Sequence, residues 1–284
     1  MRSSGTLEAL ARRVFTFEEN ERQGLVGRGD PSSIAIEGDE ARPAVLAFHG
    51  FAGTPKELRV VADAASRMGL AARVPRLAGH TDNVRDLMNV RWEDWVAEAR
   101  RLLDELGRRK SGKVVVAGLS LGALIATHLA AIEPAKVAGL IVLGHATWLH
   151  FTSFALPLRV CERLDLFENR FYLPKDGSDI RDPIARRAHL TYALNPVKSA
   201  IEVLRAGRVV RGELQRVTCP TLVIHGRLDR VCPVENAFRF AHRLGTGDVT
   251  VRIMPGSGHI VSVDADRAEV GRAIDAFLAR VARR

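Results

Sequence analysis

Ser120 stands in Gly118-Leu119-Ser120-Leu121-Gly122, a GxSxG pattern that follows the β-branched run Val114-Val115-Val116 and precedes a helix-forming stretch. A serine on a sharp strand-to-helix turn is pushed out of the chain, provided the flanking residues lack Cβ atoms that would collide; here both are glycine. Such an oxygen can attack a carbonyl, and the positive end of the helix that follows favours the negative charge that then develops. The attack needs a base, and the base needs a group that orients it. Asp229 in Gly226-Arg227-Leu228-Asp229 and His259 in Pro255-Gly256-Ser257-Gly258-His259 each follow an apolar, strand-like run. Both are therefore expected on loops at the edge of the sheet where Ser120 emerges, the edge at which open α/β sheets place ligands. The chemistry this set could perform is acyl transfer. His259 would take the Ser120 proton, Asp229 would hold the imidazole tautomer, and the backbone N–H groups of Phe51 and Leu121 would form an oxyanion hole. Phe51 belongs to the turn His49-Gly50-Phe51-Ala52-Gly53, which also closes a strand.

Each role has a competitor nearby in the chain. Asp264 and Asp266 lie close to His259, but at the start of the last helix, where an acid is expected to cap rather than to reach an imidazole. His49 and His80 sit on post-strand loops and are expected to shape those loops rather than to act as bases. Ser257 is a second serine close to His259. Taken singly, Asp229 could be a turn residue and His259 an ordinary loop histidine.

Positioning these residues requires alternating strands and helices. Residues 33–36 and 44–48 read as two strands joined through Glu37-Gly38-Asp39-Glu40, an expected hairpin. Pro55 opens a helix to about residue 68, a strand covers 70–74, and Trp92, Trp95, Ala99, Leu103 and Leu106 give a helix ending at Gly107. The elbow helix ends before Pro134, and 137–143 is a buried strand. After residue 220 the alternation resumes: a strand to 226, a helix over 233–244, a strand over 249–254 and a helix over 264–283. This predicts one α/β domain over residues 32–284, a mostly parallel central sheet with helices on both faces.

Between about residues 145 and 212 the rhythm fails. Trp148, Phe151, Phe154, Phe167, Phe171, Tyr172 and Tyr192 are interrupted by four prolines, which predicts a cap inserted over the mouth of the site rather than a purely structural helical layer. Residues 1–31 form an N-terminal extension in which Leu7, Leu10, Val14 and Phe17 recur at helical spacing, an amphipathic helix expected to pack on the body.

The composition is ordinary for a globular protein, with 46% hydrophobic and 26% charged residues. A net charge of +9 could attract nucleic acid, but the arginines are dispersed in short pairs with no basic block among aromatics, so no nucleic-acid partner is expected. No apolar run approaches the ~20 residues of a membrane span, and no apolar signal core follows Arg2, so stable membrane insertion is not expected and the cytoplasm is the expected location. Cys161, Cys219 and Cys232 are too scattered for a disulfide framework and are expected reduced and buried. The oligomeric state is not legible.

From about residue 33 the chain resembles the α/β-hydrolase superfamily, in which the nucleophile, acid and base occur in the order of Ser120, Asp229 and His259. More narrowly, HGFAGTPKEL, PRLAGH, RWEDWV, GLSLGA, HGRLDRVCP and GSGH resemble the bacterial carboxylesterase and monoacylglycerol lipase group. That group usually reads Gly-His-Gly where this chain has Gly79-His80-Thr81. The resemblance implies a small cap and a serine esterase that hydrolyses carboxylic esters bearing a single acyl chain through an acyl-enzyme on Ser120. The expected partner is a small-molecule acyl ester, with no cofactor and no metal. Two alternatives stay open: an acyl thioesterase or other hydrolase using the same site, and a ligand-binding protein that keeps the fold without turnover.

Overall fold

The structure is a computed structural model that describes residues 25–26, 31–109, 111–150, 153, 155–164, 172–174 and 177–283. The amphipathic pattern of Leu7 to Phe17 lies outside these residues, as do Phe151, Phe154, Phe167 and Phe171. The strands are β1 (Leu25–Val26), β2 (Ile34–Ile36), β3 (Ala44–Phe48), β4 (Ala72–Val74), β5 (Val114–Leu119), β6 (Val137–Leu143), β7 (Tyr172–Pro174), β8 (Thr191–Tyr192), β9 (Leu194–Pro196), β10 (Thr221–Gly226) and β11 (Val249–Met254). The helices are α1 (Arg59–Arg67), α2 (Val84–Met88), α3 (Trp92–Gly107), α4 (Leu121–Ile132), α5 (Leu156–Leu164), α6 (Pro183–Ala188), α7 (Val197–Glu213), α8 (Glu235–His242) and α9 (Arg267–Val281), with short 3-10 turns at Pro55–Leu58 and Leu214–Arg216.

Seven strands form one sheet in the order β11-β10-β6-β5-β3-β4-β2, parallel except for β2. Its central strands are apolar throughout because both faces are covered, and their residues alternate between two cores. Leu46, Phe48, Val114, Val116, Leu140, Val142 and Val223 pack beneath α3, α4, α7 and α8. Val45, Ala47, Val115, Ala117, Ile141, Leu143 and Ile224 pack beneath α1 and α9. Parallel pairing of β3, β5, β6, β10 and β11 brings all their carboxyl ends to one edge.

The expected hairpin does not form. β2 pairs antiparallel with β4, Ile34 opposite Val74 and Ile36 opposite Ala72, while β3 pairs with β4 and β5. The connection steps over the start of β4: Asp39 N–H donates to Gly69 O at 2.9 Å, and a Cβ on Gly38 would lie 2.2 Å from Ala71 N. Close backbone contact between these segments, rather than turn type, therefore decides the register. The helix expected from Pro55 is likewise two pieces, a 3-10 turn followed by α1.

The stretch between β6 and β10 is more regular than its sequence suggests. α7 is a 17-residue helix whose Val203, Ala206 and Val210 join the larger core against the elbow helix α4. Glu202 accepts Trp92 N–H at 3.1 Å, and Ser199 Oγ donates to Leu87 O at 2.8 Å, tying the helix to the body. Lys198, Arg205, Arg208 and Arg211 interrupt its apolar stripe, which hides the pattern. α5 contributes Leu158 to a smaller cluster with Ala155, Val197, Ile201 and Leu204. β1 pairs antiparallel with β8, so the N-terminal segment touches this stretch. Among the described residues no helix is long and apolar enough to cross a membrane. Cys219 and Cys232 are buried as expected, but Cys161 on α5 is only partly so.

Candidate active site

Ser120 sits between β5 and α4 with φ 54° and ψ −110°, a left-handed backbone that a residue with a side chain adopts only under constraint. The constraint is visible in its glycine neighbours. A Cβ on Gly118 would lie 2.0 Å from Gly122 O, and one on Gly122 would lie 1.9 Å from Phe48 O. Ser120 N–H donates to Leu143 O at 3.0 Å, anchoring the turn to β6.

His259 follows β11 and Asp229 follows β10. His259 Nε2 lies 2.9 Å from Ser120 Oγ, and its Nδ1 lies 2.8 Å from Asp229 Oδ2. The structure thus brings the three residues into one hydrogen-bonded chain, nearly closed to solvent. Asp229 Oδ1 accepts the N–H groups of Val231 and Cys232, each at 2.8 Å. Burial by itself would raise the Asp229 pKa, but the charge of His259 and hydrogen bonds from His225 and His259 hold it far below the usual carboxylate range. Burial would likewise lower the His259 pKa, but the carboxylates of Asp229, Asp179 and Glu57 together more than offset this, so the imidazole is more basic than usual. The electrostatics favour an imidazolium–carboxylate pair, the state a general base reaches after taking a proton.

The turn after β3 lies beside Ser120. Gly50 N–H donates to Glu57 Oε2 at 2.8 Å, Ala52 N–H to His80 Nε2 at 3.2 Å and Gly53 N–H to Gly50 O at 3.1 Å. Among the described residues no acceptor takes the Phe51 N–H. Leu121 is the first residue of α4, where an N–H has no carbonyl one turn behind it within the helix. His49 and His80 are both engaged in holding backbone. His49 Nε2 accepts Leu77 N–H at 3.1 Å and its Nδ1 lies 2.9 Å from Gly50 O, while His80 Nδ1 lies 3.2 Å from Ala78 O. Desolvation pushes both pKa values down, which keeps the bare ring nitrogens these acceptor roles require.

Asp264 and Asp266 depart from their expected helix-capping role. Asp264 is fully buried, and its carboxylate accepts the N–H groups of Arg181, Asp182 and Gly258 at 2.7 to 2.9 Å. Asp266 stands at the N-cap position, but its side chain accepts Gly256 N–H at 2.7 Å and Ser257 Oγ–H at 2.8 Å. Both acids shape the loop that delivers His259, and Ser257 is committed to that loop. Backbone N–H groups in a turn outcompete the helix terminus because the buried turn has no water to satisfy them.

Three residues near the site escape a reading of the sequence. His225, at the end of β10, places Nε2 3.0 Å from Asp229 Oδ2 and 3.1 Å from Cys232 O. Asp179 reaches the site from the insertion, and Glu57 pairs with His189 Nε2 at 2.8 Å with both side chains buried. Only His225 had a usable cue, its spacing of four residues before Asp229 across a strand end. Asp229, Cys232 and His259 bring ligand-type atoms within 4.8 Å of one another, but this set suits a metal poorly. His259 Nδ1 and Asp229 are spent on each other, and burial pushes the Cys232 thiol up, away from the thiolate a metal requires.

Of the aromatics expected in the insertion, Tyr172 and Tyr192 are buried, and the Tyr192 hydroxyl donates to Thr81 O. Trp148 is stacked by Arg239 with the guanidinium carbon 4.3 Å from the ring centroid.

The family profile described as Hydrolase_4, serine aminopeptidase S33, matches residues 39–266. The thermostable monoacylglycerol lipase of Bacillus sp. (strain H-257) is 27% identical over 223 residues, covering 78% of this chain and 85% of that protein. A carboxylesterase of Bacillus subtilis (strain 168) is 22% identical over 255 residues, covering 88% and 97%. A solved structure from work on LipS and LipT, two metagenome-derived lipolytic enzymes, superposes with a TM-score of 0.80 at 26% identity, covering 90% of this chain and 99% of that one. The profile spans the elbow and both loops that carry Asp229 and His259, and the sheet order and helix placement agree with that superposition, so the chain belongs to the Hydrolase_4 family of α/β-hydrolases.

Proposed function

We propose that the protein is a serine ester hydrolase that cleaves carboxylic esters bearing one acyl chain. The observation that carries this reading is the unbroken chain from Ser120 Oγ to His259 Nε2 at 2.9 Å and from His259 Nδ1 to Asp229 Oδ2 at 2.8 Å. In the first half-reaction His259 takes the hydroxyl proton as Ser120 Oγ attacks the carbonyl carbon. The oxyanion is held by the N–H groups of Phe51 and Leu121, and His259 returns the proton to the leaving alcohol. Water then attacks the acyl-enzyme by the reverse proton path, releasing the acid and restoring Ser120. The chemistry needs only these side chains and water. The similarity to a monoacylglycerol lipase and a carboxylesterase supports the ester as the bond cleaved and a single chain as the acyl part.

In the same reading residues 145–212 cover the mouth and receive the acyl chain, residues 1–31 are an extension, and the enzyme works in the cytoplasm. Each methylene held in an apolar channel contributes about 0.8 kcal/mol, close to fourfold in affinity. A panel of p-nitrophenyl acetate, butyrate and octanoate, a monoacylglycerol, an acyl-CoA, an aminoacyl p-nitroanilide and emulsified triolein tests it. kcat/KM is expected to rise from acetate to octanoate, with the monoacylglycerol accepted and triolein poor. Preference for acetate or efficient attack on triolein would sink the single-chain reading. Faster turnover of acyl-CoA than of any ester would move the enzyme to the thioesterases, and turnover of the anilide alone would make it the aminopeptidase of its family's description.

A further inference from the structure

The stretch from Ser178 to Tyr192 lies in the insertion, yet it touches the loops that carry Asp229 and His259 and the turn that contains Phe51. At one end Ser178 Oγ lies 2.6 Å from His189 Nδ1, and His189 Nε2 meets Glu57, the carboxylate that also holds Gly50 N–H. Thr191 Oγ1 donates to Ala52 O at 2.6 Å, so the stretch is bound to the turn containing Phe51. Next to Ser178 stands Asp179, with a side chain only 14% exposed. Its Oδ2 accepts Arg230 N–H at 2.8 Å and His259 N–H at 3.1 Å, so one oxygen joins the residue after Asp229 to His259 itself. Its Oδ1 accepts from Arg181 Nη2 at 3.1 Å, and its carbonyl accepts Ile260 N–H at 3.3 Å. The chain is pressed close here: a Cβ on Gly258 would lie 2.6 Å from Asp179 O.

The sheet supplies only part of this coupling. The ladder between β10 and β11 ends at Gly226 opposite Met254, before either Asp229 or His259. Beyond it Arg227 N–H donates to Met254 O at 2.9 Å and Leu228 N–H to Ser257 O at 3.0 Å, but neither bond reaches Asp229 or His259 itself, and the base loop contains Gly256 and Gly258. A carboxylate accepting backbone N–H groups from both loops makes charge-assisted bonds stronger than neutral ones and sets their separation.

We propose that Asp179 is a positioning residue that fixes His259 relative to Asp229, so that the insertion, in addition to the backbone bonds that continue from the sheet, couples the base loop to the acid loop. This rests on the reading of Ser120, Asp229 and His259 as the reacting groups. Asp179 acts through geometry and through charge. Misplacing a catalytic group by about 1 Å can cost on the order of 100-fold in rate. The negative charge beside His259 also favours its imidazolium, together with Asp229 and the more distant Glu57; His145, His225 and Cys232 lie around the pair, the Arg181 guanidinium sits on Asp179 itself, and the Asp264 carboxylate holds Gly258 N–H next to His259.

The test is the second-order rate of Ser120 labelling by a fluorophosphonate across pH, on the full chain, with melting temperature measured in parallel. This readout needs no knowledge of the natural substrate. Asp179→Asn keeps the shape and one acceptor oxygen but removes the charge. The expected result is a roughly 10- to 100-fold lower plateau rate, with the acid limb moved to lower pH because the imidazolium has lost a stabilising neighbour. Asp179→Glu keeps the charge and displaces the carboxylate, so it should lose rate while its acid limb stays near the wild-type position. An Asn variant with the wild-type rate and acid limb overturns the proposal, as does a loss that follows melting temperature with the limb unmoved. Should the Asn variant fail to fold, the Glu variant decides, and a wild-type rate there overturns it. Wild-type protein not labelled at Ser120 would sink the functional reading itself, whereas labelled protein indifferent to Asp179 sinks this inference alone.

Discussion

The elbow at Ser120 and the loops carrying Asp229 and His259 each hold one side chain at the same sheet edge, but they are built by different means. The elbow is local: two glycines, a strained serine and adjacent backbone from β3 and β6 define it. The loops are held from a distance, by Asp179 across 80 residues to His259 and by Asp264 across 83 residues to Arg181. Ser120 is therefore set by sterics that tolerate no added atom. Asp229 and His259 are set by buried carboxylates, whose hold depends on charge and on the packing of an inserted segment. This difference separates what a substitution breaks on each side.

The largest effect is expected from Ser120→Ala, which removes the attacking oxygen and leaves the elbow backbone in place. kcat on p-nitrophenyl butyrate should fall on the order of a million-fold, with the melting temperature close to wild type because the Cβ and the elbow backbone are kept. Residual activity within a hundredfold of wild type would show that the elbow does not hold the nucleophile.

Asp229→Asn comes next, with an expected loss of about 10⁴-fold in kcat as control of the imidazole tautomer is lost. The same change lowers the raised His259 pKa. Activity disappears as pH falls through that pKa, so the acid limb of kcat/KM should lie above the ordinary imidazole value of about 6.5 in the wild type and below the wild-type position in the variant. Asp264→Asn sharpens the contrast: it should cost stability chiefly, because its carboxylate holds backbone and touches no reacting group. Equal losses of kcat in the two variants would erase the distinction between reacting and loop-holding acids.

On the elbow side, Gly122→Ala drives a Cβ against the Phe48 carbonyl, a backbone atom of a buried strand that cannot move aside. A loss of about 3 kcal/mol in urea unfolding is expected, accompanied by loss of activity. A Gly122→Ala variant as stable as the wild type would mean that the elbow is looser than its geometry.

The smallest effect concerns a tether between the insertion and the body. Tyr192→Phe removes the hydroxyl that donates to Thr81 O and leaves that carbonyl without its partner. Stability should fall by about 1 kcal/mol, with kcat within a factor of two, since no reacting group is touched. A kcat loss beyond tenfold would extend the reach of the insertion from the acid and base loops to the His80 loop as well.

Which parts of this arrangement could be read in the chain follows the same division between local and distant. Gly118, Ser120 and Gly122 announce themselves because the pattern lies within five adjacent residues at a strand-to-helix junction. The largely apolar runs at Ala44–Phe48, Val114–Leu119 and Thr221–Gly226 mark buried parallel strands because each position is covered from one side or the other. Asp229 and His259 are placed by their positions after such strands. The pairing of β2 escapes a reading of the chain because a register is set by where backbones meet, and Gly38 against Gly69 and Ala71 leaves no trace in hydropathy. α7 is hidden because its exposed face carries the arginines that the local pattern weighs equally with its core residues.

The amino-acid sequence alone determined the strand-and-helix rhythm, the elbow and the candidates for acid and base, because those depend on periodicity and on sterics between near neighbours. Only the tertiary structure decided that Asp264 and Asp266 hold a loop instead of capping a helix, that His225 shares the oxygen of Asp229, and that Asp179 bridges two loops from within the insertion. A carboxylate gives the same signal in sequence whether it faces solvent, caps a helix or accepts two buried N–H groups. The choice among these is made by which unsatisfied donors the folded chain brings within about 3 Å of it.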